Sequence, residues 1–341
     1  MRLCLRLEAA VNISLSLNVL LGLTVLVLSA LSLSVGTETI GVVHALSQLF
    51  SDPDAIEVII LREIRLPRTL IAIVGGATLG VCGAAMQGLL RNPLASPGLV
   101  GSASGAALGA VTILYFGAAS LHPQTVPIAG MSGSLLATAL VYLLAGRDAN
   151  VTTLILAGVA INALATALMS MLLNLAPSPF AVRELVLWTL GDLSNRSLND
   201  FYVMLPCTML GWILLIGVGR QLDALTLGER TASSLGVNPG QLRWRVFIAV
   251  SLAVGATVAT TGMIGFIGLV VPHLLRPFVN HEPRRLLFVS ALGGSAMLLA
   301  ADIGVRLIPT QTALKVGVLT SLIGAPFFLF LILRSRRDGY R

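Results

Sequence analysis

The segment 151–175, VTTLILAGVAINALATALMSMLLNL, runs its whole length without one charged side chain. A helix needs about 20 apolar residues to cross the ~30 Å hydrocarbon core of a bilayer. Ten segments of this kind punctuate the chain: 13–35, 69–89, 93–117, 124–145, 151–175, 201–219, 246–264, 265–280, 286–305 and 314–333. The breaks are least marked at Arg91-Asn92-Pro93 and near Gly262–Gly265, where a re-entrant or broken helix fits equally well. Only 11% of the residues are charged and 56% are hydrophobic, whereas a soluble domain carries about 25% charged residues. No soluble core hides so much apolar surface. A transmembrane barrel would alternate in short strands, and these runs do not alternate. The fold class is an all-α polytopic membrane protein of about ten transmembrane helices. It is read as one domain, 1–341, with a cytoplasmic loop at 220–245.

Charge then orients the spans. With ten spans both termini share a side. The side that holds the termini carries 15 of the 22 Lys and Arg and 6 of the 15 acids, net +9. The other side carries 7 basic residues and 9 acids, net −2. Basic residues accumulate on the cytoplasmic side, so both termini are expected there. The formal charge of +7 therefore reports topology and contact with lipid, not nucleic-acid binding. The first run, from about Val11 to Val35 after Arg2 and Arg6, exceeds a signal-peptide core and has no A-x-A site. It is read as a retained span. Cys4, Cys82 and Cys207 are scattered and form no CxxC pair.

One basic cluster breaks the rule. LREIRLPRTL (61–70) holds Arg62, Arg65 and Arg68, and the topology puts this loop outside. Gly101, Gly105 and Gly109 recur at four-residue spacing, as do Gly76 and Gly80. Such faces allow close backbone approach. Pore lining is the competing reading.

Several chemistries are excluded. There is no GxxxxGK[ST], and Lys315 is the only lysine, so the chain carries no Walker A site. HExxH and GxSxG are absent, and His44, His122, His273 and His281 lie far apart. Neither a metal centre nor a catalytic cluster is expected. Asp302, beside Arg306, is the clearest intramembrane carboxylate. An ion-coupled carrier places more ionisable groups near the midplane. Their scarcity points to energy supplied from elsewhere.

Four stretches remain. They are IRLPRTL (64–70) leading into GATLGVCGAAMQGLLRNPLASPGLVGSASGAALGA (76–110); LILAGVAIN (154–162); LTLGERTASSLGV (225–237); and GMIGFIGLVVPHLLR (262–276), followed by LLAADIGVRLI (298–308) and GVLTSLIGAPFFLFLI (317–332). Together, and in this order, they resemble the FecCD permease family, the membrane subunits of ABC importers for ferric siderophores, haem and cobalamin. The resemblance runs over about 55–333. It implies a cobalamin-importer-like fold in a bacterial inner membrane and a permease dimer, here two copies of one chain. It also implies two cytoplasmic ATPase subunits, which bind ATP and Mg, and a periplasmic substrate-binding protein. The chain itself is expected to bind no cofactor and to catalyse no reaction. An iron chelate is the expected cargo, with cobalamin as the alternative.

Site residues follow by the same resemblance. Leu227, Gly228, Glu229, Arg230, Leu235 and Gly236 match the coupling helices that enter an ATPase cleft; from the residues alone an interfacial helix fits as well. Asn150, Val151 and Thr152 match the cytoplasmic gate. Arg65, Arg68 and Arg306 match arginines that meet glutamates on the binding protein. The alternative is local pairing, Arg62 or Arg65 with Glu63 or Glu57 and Arg306 with Asp302. Arg62 has no strong counterpart. Pro272 would free a backbone carbonyl, and His273 beside it is read as a packed or hydrogen-bonding residue rather than a haem ligand.

Overall fold

Lipid tails are as apolar as leucine, so helices in a bilayer are not driven together by burial; they associate where small residues let backbones touch. This chain does so repeatedly. A Cβ added at Gly76 would lie 2.4 Å from the carbonyl oxygen of Gly294, and one at Gly80 would lie 1.9 Å from that of Ser290. Only a missing side chain permits this approach.

The computed structural model describes residues 2–36, 44, 47–48, 52, 54–122, 124–146, 151–308 and 314–338. Its helices are α1 (Arg2–Ser34), α2 (Leu66–Leu89), α3 (Ser102–Tyr115), α4 (Thr125–Ala145), α5 (Val151–Asn174), α6 (Pro179–Thr189), α7 (Leu198–Leu215), α8 (Val218–Thr226), α9 (Glu229–Ser234), α10 (Pro239–Thr261), α11 (Ile267–Leu275), α12 (Pro283–Leu307) and α13 (Val316–Asp338). Among the described residues there is no strand. Among the described residues seven helical stretches are long and apolar enough to cross a membrane, and three shorter apolar helices accompany them. The sum agrees with the ten segments expected.

Helix α2 is the buried spine. One face meets α12 through Gly76 and Gly80, and another meets α11, where a Cβ on Gly83 would sit 1.8 Å from the Gly268 oxygen. Gly268 lies four residues before Pro272, which has no N–H to offer it. The carbonyl that the proline frees therefore packs against a bare glycine Cα. Farther along the chain, α3 and α4 repeat the device: Cβ atoms on Gly105 and Gly109 would meet Gly133 O at 2.5 Å and Ala129 O at 2.2 Å. The glycine faces are packing surfaces. Beside the second one, a groove of about 460 Å³ opens between α3, α4 and α5.

Four segments differ from expectation. The residues around LREIRLPRTL form no loop. They are helical from Ile56 onward, with a π-helical stretch at Ile60–Arg65 leading into α2. A proline normally breaks such a helix by clashing with a carbonyl one turn back. Here Leu66 N–H reaches back to Leu61 O, and the widened turn accommodates Pro67. The expected spans 93–117 and 265–280 are shorter helices. The first is interrupted by a 3₁₀ turn at Pro97–Val100, and the second ends in one at Arg276–Val279. Finally, α6 was not expected as an element, because Arg183 and Glu184 interrupt its apolar character.

The backbone contact can be tested by filling it. Gly80→Ala is expected to destabilise the purified protein by about 1–3 kcal/mol or more. Gly22→Ala, at a site with nothing within 4 Å, is expected to leave the thermal midpoint unchanged. Equal midpoints for the two variants would refute the packing role.

Candidate functional site at the two ends of the bundle

At one end of the bundle two arginines converge on a single carboxylate, and a third lies beside them. Arg68, in the first turn of α2, donates from Nε to Asp302 Oδ1 at 2.9 Å and to Oδ2 at 3.1 Å, and its Nη2 lies 2.7 Å from Oδ1. Arg306, one turn beyond Asp302 on α12, pairs with the same carboxylate. Asp302 is completely buried. A charge so placed is tolerated only when it is paired and hydrogen-bonded.

The same arginines close the end of α1. The last carbonyls of a helix lack intrahelical donors and carry its negative dipole end. Arg306 Nη1 donates to Ser32 O at 2.7 Å and to Val35 O at 3.1 Å, and its Nη2 reaches Ser32 Oγ at 3.0 Å. Arg65 Nη1 donates to Leu33 O and Ser34 O, both at 2.7 Å. Ser32 Oγ in turn shares a 2.8 Å hydrogen bond with Thr69 Oγ1 at the start of α2. Arg68 and Arg306 share the one carboxylate of Asp302, and Arg65 lies beside them on the carbonyls of α1. Little of this charge reaches the surface. The side chains of Arg68 and Arg306 are 15% and 8% exposed, and Arg65 is 4% exposed. Arg62 stands apart, with its side chain 59% exposed and paired with Glu63 at 2.8 Å. Thus Arg65, Arg68 and Arg306 form one cluster, and Arg62 is outside it.

A second ionic tie lies at this end. Lys315, just before α13, pairs with Asp192 in the turn between α6 and α7. The Asp192 N–H donates to Thr261 O at the end of α10, and Gly317 N–H donates to Gly191 O. Burial pushes the Asp192 carboxyl up. The Lys315 ammonium and the N–H of Ser194 outweigh burial and hold it below the ordinary 3.8. An unpaired lysine beside an apolar segment signals a hidden partner. Nothing local in the sequence names Asp192 as that partner.

The opposite end carries the loop of α8, α9 and the start of α10. Gly228 (φ +100, ψ 154) and Gly236 (φ +85) bracket the six residues of α9. The Gly228 conformation is essentially restricted to glycine. Ala232 is the buried anchor of α9, while Leu227 and Leu235 are 63% and 62% exposed and Arg230 is exposed. Glu229 accepts two 3.0 Å hydrogen bonds from Arg243 and so fixes α9 to α10. Asp223 on α8 accepts from Arg284 N–H at 3.0 Å, capping α12. A cleft of about 920 Å³ runs between the end of α4, α9 and the start of α10, floored in part by Tyr142 and Trp244, whose rings are 4.2 Å apart. The loop is therefore a braced unit with two exposed leucines. Its bracing ties it to the spans on either side.

Of the expected gate residues, Val151 is half-buried and Thr152 exposed in the first turn of α5. Asn150 lies outside the described residues. Nearby, Gln87 on α2 donates to Leu269 O at 3.1 Å and accepts from Arg276 at 2.7 Å, linking α2 to α11. His273 packs edge-on to Phe327 at 6.5 Å between centroids. Among the described residues no three His, Cys, Asp or Glu are grouped as metal ligands.

The family model of the FecCD transport family matches residues 23–334. The chain belongs to the FecCD transport family. It is similar to the hemin transport system permease protein of Yersinia pestis, 40% identical over 286 residues, covering 81% of this chain and 84% of that one. It is 37% identical over 320 residues to the vitamin B12 import system permease protein of Vibrio parahaemolyticus, covering 93% of each. A solved ABC transporter of metal-chelate type, in an inward-facing conformation, superposes with a TM-score of 0.80 at 29% identity, covering 94% of this chain and 99% of that one. This FecCD chain is an integral membrane permease of an ABC importer.

The Asp192 tie has a pH signature. An aspartate whose folded pKa is depressed stabilises above its unfolded value, and loses that contribution as pH falls through the folded value. The difference in thermal midpoint between the native protein and Asp192→Asn is expected to stay constant from about pH 8 to about pH 5 and to shrink only below the ordinary carboxylate range. A difference that vanished between pH 7 and pH 5 would rule the tie out.

Proposed function

We propose that this chain is the membrane subunit of an inner-membrane importer for an iron chelate, with both termini in the cytoplasm and with ATP and Mg bound by partner subunits. Two copies form the pathway, two ATPases sit at the α8–α10 end, and a periplasmic binding protein docks at the arginine end. The observation that carries the reading is the pairing of two unlike ends in one FecCD chain. One has a cluster of three arginines, two of them sharing the single carboxylate of Asp302; the other has a braced loop with Leu227 and Leu235 exposed. Apolar knobs on a short helix suit insertion into a partner groove. Clustered guanidiniums suit attraction of acidic lobes. Because Arg65, Arg68 and Arg306 are largely buried, they act first as a field and only secondarily as direct forks.

Alternating access follows from the bracing. Nucleotide-driven closure of the ATPases moves Leu227 and Leu235. Glu229–Arg243 passes that motion to α10, and Asp223 at the Arg284 N–H passes it to α12. Val151 and Thr152, with Asn150, narrow the inner end of the path. An ion-coupled carrier is disfavoured because Asp302, the fully buried carboxylate of α12, is held in ion pairs by two guanidiniums.

Cobalamin is the second reading, favoured by the 93% coverage of the Vibrio parahaemolyticus permease. Uptake by proteoliposomes holding the chain, its ATPase and its binding protein separates the two. ATP-dependent accumulation of a ferric chelate or haem, and not of cobalamin, is expected. Uptake driven by a proton gradient without ATP would overturn the importer reading.

Coupling has its own test. Gly228→Ala strains the turn by about 1–3 kcal/mol and Glu229→Gln loosens α9 from Arg243. The double variant is expected to raise ATP hydrolysed per substrate transported, or to release the ATPase. A normal ratio in an assembled complex would contradict the role of the loop.

A further inference from the structure

Asp302 occupies the donors that an arriving carboxylate would need. Arg68 spends Nε and Nη2 on it, and Arg306 spends Nη2 on it. Arg306 Nε is buried without a partner, so the cluster holds donor capacity that one carboxylate does not satisfy. We propose that Asp302 is an internal competitor for the acidic partner: docking exchanges a carboxylate of that partner for Asp302 on Arg68 and Arg306. This rests on the reading that the arginine end docks the binding protein.

The exchange has a mechanical consequence. Arg306 grips Asp302 and also the carbonyls of Ser32 and Val35, while Arg65 grips those of Leu33 and Ser34. A guanidinium drawn toward a partner gives up some of these bonds. The end of α1 and the last turn of α12 then loosen together, and docking is registered inside the membrane. Linkage requires the reverse as well: whatever weakens the hold of Asp302 on the arginines strengthens docking. The undocked state stays closed because Asp302 is already in place.

The test measures affinity of the binding protein for the complete transporter in nanodiscs. Asp302→Asn keeps the shape and removes the charge. It is expected to tighten docking about tenfold and to reduce stimulation of the ATPases by the binding protein. Glu63→Gln also adds one positive charge at this end, outside the cluster, and is expected to change affinity far less. Unchanged or weaker docking by an assembled Asp302→Asn complex overturns the competitor role, as does equal tightening by Glu63→Gln. Charge reversal of Arg65 and Arg68 tests the underlying docking reading separately. If affinity survives that change, docking lies elsewhere whatever Asp302→Asn does. Should Asp302→Asn fail to assemble, hydrogen exchange of the native complex decides. Amides at the end of α1 are expected to exchange faster once the binding protein docks, and unchanged or slower exchange overturns the proposal.

Discussion

The contact of α2 with α12 fixes everything above and below it. With Gly76 and Gly80 against Gly294 and Ser290, the two backbones touch along their shared length. That spacing is what brings Arg68 within bidentate reach of Asp302 at one end. Farther along α2, Gly83 meets Gly268, and Gln87 bonds Leu269 O and Arg276. The spine therefore joins an ionic node at one end of the bundle to a polar bridge near the other. In a bilayer, where burial alone does not hold helices together, this geometry cannot relax without losing both.

The two ends are built on opposite principles. The arginine end is a closed network: its carboxylate is buried and held by two guanidiniums, and its cations are shared with the carbonyls of α1. The loop end is open. Its glycine turns and its 920 Å³ cleft leave apolar side chains outside, on a loop held by Glu229–Arg243, Asp223 at the Arg284 N–H and a buried Ala232. A transporter driven by a separate motor needs such a division. On the proposed reading, one end senses docking and the other is pushed.

Much of this was legible in the sequence where its causes are local. Apolar runs gave the helices, and glycines four residues apart gave the close faces. Arg306 and Asp302, one helical turn apart, were readable as a pair. Arg68 with Asp302 was not, because the two are 234 residues apart and only the fold aligns them. Asp192 escaped for the same reason. The stretch 61–70 lies outside the ten expected spans for most of its length yet is helical, since a widened turn at Ile60–Arg65 accommodates Pro67 without ending the helix. The exposed Leu227 and Leu235 were found through family likeness; their pattern alone fits an interfacial helix equally well.

Hydrogen exchange of the α2 amides from Gly76 to Gln87 during ATP turnover of the complete transporter probes the spine itself. A fixed spine predicts that these amides stay protected through the whole cycle while the α8–α10 loop and the end of α1 change. Exchange of the α2 amides in step with turnover would contradict it, and would make the glycine contact with α12 a moving part.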